Sequence, residues 1–143
     1  METKIYSSSG FSHSCSAEEL YVLTGHWLSD MIFFEQEIEF YQSLIRDYFL
    51  PATSKKEGSI INDIELRLID TLSLKKVLKE NIIAHQNKLS ITLGKVNREN
   101  QFYYTAIQTE LEGELFDFIK SFRQVKYELF EANKYIKQAL QKA

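Results

Sequence analysis

At 143 residues with 44% hydrophobic content, the chain has room for one domain with a sizeable core. A formal net charge of −3 supplies no basic field for a phosphate backbone, so nucleic-acid binding is not expected. Cys15 is the only cysteine, which excludes an intrachain disulfide framework. No 18-residue stretch lacks charge, so neither a membrane span nor a membrane partner is expected, and the cytoplasm is the simplest compartment.

Residues 1–15 read as a flexible, serine-rich arm without the apolar run of a secretory signal. Ser16-Ala17-Glu18-Glu19 then has capping-box spacing, and Cys15 with Leu20 would add a hydrophobic staple. The seam that follows, Leu20, Thr24, Trp27, Met31, Phe34, Ile38, Tyr41, Ile45 and Tyr48, alternates steps of four and three, which keeps one helix stripe facing a partner. It predicts a helix over about 17–49, closed where Pro51 pushes Leu50 out of helical geometry.

A short polar turn over Ala52 to Gly58 forces the chain to reverse, with Ser54 or Ser59 as the next cap. The second seam, Ile61, Ile64, Leu68, Thr71, Lys75, Leu78, Ile82, His85, Leu89 and Thr92, predicts a helix over about 59–93 terminated by Gly94. Asn97 is the expected cap of a third helix over about 97–141. Its seam is Tyr104, Gln108, Leu111, Leu115, Phe118, Phe122, Val125, Leu129, Ala132, Ile136 and Ala139.

Second apolar flanks accompany all three seams. They comprise Leu23, Phe33, Phe40 and Leu44, then Leu66, Ile69 and Leu72, then Ile107, Phe116, Ile119 and Phe130. Helices this broadly apolar touch two neighbours, so the expected fold is all-α: residues 16–143 form a single antiparallel up-down-up three-helix bundle with the third helix longest. Ala17 to Leu50 carries seven acids and one base, a net of −6. Ala52 to Lys95 carries eight bases and five acids, a net of +3, so the first two helices attract along their flanks.

Residues facing each other across a short antiparallel turn have a nearly constant sum, about 109 for the first turn and about 190 for the second. That register sets His85 level with Thr24 and Thr105, a polar layer in an apolar seam. Ferritin-like metal sites require Glu-x-x-His pairs, and no histidine here has an acid three residues before it. The spacings of His26 with Asp30 and of His13 with Cys15 match no recognised zinc pattern, so no metal is expected. Glu110, Glu112, Glu114 and Asp117 fall off the third seam and read as a solvated face. Cys15 and the serines have no histidine in a recognisable nucleophile pattern, and no phosphate-binding or dinucleotide loop is present. No catalytic residue, cofactor or enzyme activity is therefore assigned.

The expected function is a non-enzymatic helical interaction module that binds itself, as a homodimer, or another helical protein through an apolar helix face. Unequal helix lengths would leave about ten residues of the third helix uncovered, with Tyr135, Ile136 and Leu140 as the association stripe. The alternative is a small-molecule- or metal-binding bundle with its site near His85, His26 and Thr105.

Overall fold

The computed structural model describes residues 16–53, 55–93 and 98–142, with side chains through residue 138 apart from 55–57 and 98–99. Helix α1 spans Ala17–Leu44, continues through a π-helical turn at Ile45–Phe49 and ends as the short α2, Leu50–Ala52. Helix α3 spans Lys55–Thr92 and α4 spans Arg98–Lys142. The chain is an antiparallel up-down-up bundle of three long helices, and at 45 residues α4 exceeds the 38 of α3.

The capping box opens α1 as its sequence requires. The Glu19 amide donates to Ser16 Oγ at 3.2 Å, the Ser16 amide donates to Glu19 Oε1 at 3.1 Å, and the Leu20 amide takes the Ser16 carbonyl at 2.9 Å. These bonds hold the exposed Glu19 carboxyl below its usual pKa. Cys15, the staple partner, lies outside the described residues, as do Ser54, Gly94 and Asn97.

The expected stop before Pro51 is overturned. Leu50 keeps helical angles (φ −60°, ψ −44°), and its amide bonds the Ile45 carbonyl five residues back. Pro51 is tolerated because it occupies the first turn of a new helical segment, where its missing N–H is not needed. The chain leaves helical geometry at Thr53 (φ −101°, ψ 151°), whose hydroxyl and amide both bond the Leu50 carbonyl. The wide turn also rephases the seam. Phe49 is buried at 3% exposure, while Tyr48, expected inside, stands 59% exposed. Helix α3 likewise begins at Lys55 rather than residue 59, so Ser59 lies within the helix and does not cap it. Lys55, Lys56 and Glu57 are good helix formers, and Gly58 alone does not stop them.

Two compact units divide the chain, one formed by Met1–Phe33 with Lys75–Asp117, the other by Phe34–Leu74 with Phe118–Ala143. In the first, Leu20, Leu89 and Tyr104 form a core cluster against which Tyr21 packs, and Trp27, Ile82, Leu111 and Leu115 are buried with them. In the second, Phe34 meets Phe118 and Phe122 edge-on, with centroids at 5.7 and 5.9 Å, and Phe118 stacks on Phe122 at 6.3 Å. Ile38, Ile45, Ile61, Ile64, Leu68 and Leu129 complete that core.

The flanks depart from expectation. Leu23 and Ile119 are buried, but Phe33, Phe40, Leu66, Ile69, Phe116 and Phe130 remain exposed. A three-helix bundle closes on one stripe per helix, which the seams already fill, so most flank side chains stand at the rim of the core rather than within it. Glu112 differs in the opposite sense, being buried rather than on a solvated face. It stands next to Leu111 on the helix, close enough to the seam to be drawn under, and Lys75 of the same unit is buried as well.

Candidate functional site

The first unit holds the polar layer. Thr24, His85 and Thr105 are all buried, but they do not bond one another. The Thr24 hydroxyl donates to the Tyr21 carbonyl of its own helix at 2.7 Å, and Thr105 Oγ1 accepts from Gln101 at 3.4 Å. The partner of His85 is Gln108, whose Oε1 lies 2.6 Å from His85 Nε2. Residues 85 and 108 sum to 193, while His85 and Tyr104, whose rings lie 6.4 Å apart, sum to 189, so the histidine sits near the level the spacing rule gives and reaches Gln108 rather than Thr105. Gln108 belongs to the third seam, and a polar residue in a seam opposite a histidine was the available signal.

The Gln108 amide nitrogen donates to the Leu20 carbonyl at 3.4 Å, which turns its Oε1 toward the imidazole. His85 therefore carries its proton on Nε2, and Nδ1 is a bare acceptor, buried and without a hydrogen-bond partner. Burial lowers the His85 pKa, the Gln108 bond raises it, and the nearby Lys88 charge lowers it further, with a net downward shift. His85 also borders a cleft of about 270 Å³ between α3 and α4, with Lys88, Glu110 and Glu114 among its lining residues. His26 is exposed on α1 and is not part of that lining. Burial raises the pKa of Asp30 while the charge of His26 lowers it, with the rise prevailing. Among the described residues, no group of three or more His, Cys, Asp or Glu side chains is placed to hold a metal ion.

The second unit exposes a different surface. Helical spacing sets Phe40 and Leu44 on the flank of α1, and Phe130 on the flank of α4 that adjoins it. Tyr41 forms the floor between them, mostly buried, with its ring 5.6 Å from Phe40 and 6.0 Å from Phe130. Its hydroxyl donates to Glu37 Oε1 at 3.0 Å, and Lys126 Nζ reaches the same carboxylate at 2.7 Å. Lys126 also lies over the Phe122 ring at 5.4 Å. Burial, reinforced by the Glu37 bond and charge, raises the Tyr41 pKa, and the hydrogen bond from its hydroxyl to Glu37 locks the ring in place.

The rims of this floor are apolar and open, with Phe40 at 60% exposure and Phe130 at 48%. An aromatic pair held in place by buried neighbours but left facing water is the usual character of a docking surface. Of the association stripe expected at the C-terminal end, Tyr135 is half exposed, and the Leu140 side chain lies outside the described residues. Ile136 is buried, so it belongs to the core rather than to that stripe. The reason is length: α2 and the earlier start of α3 each add about a turn at that end, and the uncovered stretch shortens.

Among the described residues, no helix is long and apolar enough to cross a membrane. Comparison with protein-family models, with characterised proteins and with solved structures gives no match to this chain.

Proposed function

We propose that the chain is a non-enzymatic interaction module that docks a helical partner on the face between α1 and α4 in the second unit. The observation that supports this reading is the exposure of Phe40 and Phe130 on either side of the locked Tyr41 floor. Large aromatic side chains left in water cost about 25 cal/mol for each Å² that a partner would cover. Phenylalanine has few rotamers to lose, so ordering these rings on binding costs less than ordering long flexible side chains.

Replacing Phe40 by a photoreactive benzoyl-phenylalanine in the native cell, with the same probe at exposed Lys76 as control, tests the reading. A discrete adduct identified by mass spectrometry from position 40 and absent from position 76 is the expected result. Adducts that are the same from both positions, or none from position 40, would overturn it.

A further inference from the structure

We propose that the occupant of this face is a second copy of the same chain, packed about a two-fold axis parallel to the helices so that α1 of each copy lies on α4 of the other. This rests on the reading of the face as a docking surface and adds the partner to it.

The argument is one of charge and level. In this unit Glu37 meets Lys126, Tyr41 meets Phe130 and Phe34 meets Phe122, so a residue of α1 stands level with the residue of α4 numbered 88 or 89 higher. Residues 34–52 hold four acids and one base, whereas residues 118–138 hold five bases and two acids. Most of these charges lie off the face, since Glu35, Glu39 and Arg46 follow seam residues on the other flank of α1 and Glu37 is already paired with Lys126. What faces outward at one height is Asp47 on α1, which also meets Arg46, and Lys134 and Lys137 on α4, of which Lys134 also meets Glu131.

Two arrangements bring two such faces together. An axis across the helices would lay α1 on α1 and α4 on α4, keeping Asp47 apart from both lysines and setting the lysine-bearing edges of α4 together. An axis along them preserves height and crosses the edges. Phe40 then meets Phe130 of the second copy, and Asp47 meets Lys134 and Lys137 of the second copy, which are exposed one turn apart at its level. Every contact occurs twice, as an isologous interface requires. The aromatic pairs supply the buried centre, and the charges at the rim select the orientation.

Sedimentation equilibrium on the full chain, with far-UV circular dichroism on each variant, tests the proposal. The chain is expected to be a dimer at about 10 µM, a concentration in the range of modest interfaces. Phe40→Asp, at an exposed site, is expected to weaken the dimer about 100-fold with helicity unchanged, and Phe40→Ser serves if the aspartate disturbs the fold. Asp47→Lys should weaken it about 10-fold by setting like charges together. The combined Asp47→Lys, Lys134→Glu, Lys137→Glu chain should recover to within about threefold of the parent, since the edges are complementary again.

A chain that stays monomeric at about 100 µM overturns the second copy. Dimerisation indifferent to Phe40, or no recovery in the charge-swapped chain, overturns it equally. An adduct from position 40 to a different protein, found with a monomeric chain, removes the second copy while leaving the docking face standing.

Discussion

Replacing His85 and Gln108 by leucine, singly and together, probes whether the buried polar pair acts as a unit. In the single variant Gln108→Leu, the imidazole loses the hydrogen bond at Nε2, so that both ring nitrogens are buried without a partner among the described residues. In His85→Leu, the Gln108 oxygen, on a side chain with no solvent exposure, is stranded. Leaving a buried polar group unmade costs about 1–3 kcal/mol, and each single variant should lose that much. The double variant strands neither. The Leu20 carbonyl, which also loses the Gln108 donor, still has its place in the helical ladder of α1. The double variant should thus be more stable than the sum of the two losses predicts by about 1–3 kcal/mol. Urea denaturation at pH 7.5, followed by the fluorescence of Trp27, measures all four corners of the cycle. Single-variant losses that add to the double-variant loss within about 0.5 kcal/mol would show that the pair is not coupled and that the polar layer does not operate as described.

The same histidine makes stability pH-dependent. Its folded pKa is lowered, mainly by burial, so the unfolded chain takes up the proton first. Stability is complete above the unfolded pKa of about 6.5 and falls as pH drops below it, and His85→Leu should flatten that decline between about pH 7 and 5. An identical acid limb in both proteins would be inconsistent with a buried neutral imidazole. Trp27→Ala should cost about 3–5 kcal/mol because the indole is almost fully buried, and native emission should be blue-shifted before denaturant is added. Solvent-like emission from the native protein would place the indole outside the core. Gly113→Ala should stabilise by about 0.5–1 kcal/mol, since the glycine is exposed in mid-helix and an added Cβ meets no atom within 4 Å. A lower melting temperature on differential scanning calorimetry would contradict that reading.

What the sequence made legible is whatever depends on period and on local hydrogen bonds. The first eight positions of the first seam, Leu20 through Ile45, are buried as the four-three spacing requires, and so are Ile61 through Leu89 of the second. The Ser16–Glu19 box could be read because both partners lie within one turn. The failures come where distant parts of the chain compete. Pro51 disfavours a helical Leu50 locally, but a wider turn and a new helical start accommodate it, and Phe49 displaces Tyr48 from the core as a result. His85 stands inside as its seam position requires, yet its partner is Gln108 rather than Thr24 or Thr105, a choice of side-chain reach that the seam pattern does not fix. The apolar flanks showed how wide each helix is, but not whether a third helix is enough to cover them. The flank width predicts helix contacts for Phe40 and Phe130, whereas both rings are exposed.

The π-helical turn has a further meaning for how this chain tolerates change. A turn closed by a five-residue bond is a helix carrying one residue more than its period needs, the signature that a single-residue insertion leaves when the flanking turns keep their packing. Ile45 and Phe49 stay inside while the surplus is taken up by Arg46, Asp47 and Tyr48, all facing water. Length is thus absorbed on the outside of the helix, and the seam before it does not have to slide to accommodate the chain reversal after it. The first helix contains its own expansion joint, so the surplus residue is carried between Ile45 and Phe49 while both of those side chains remain in the core.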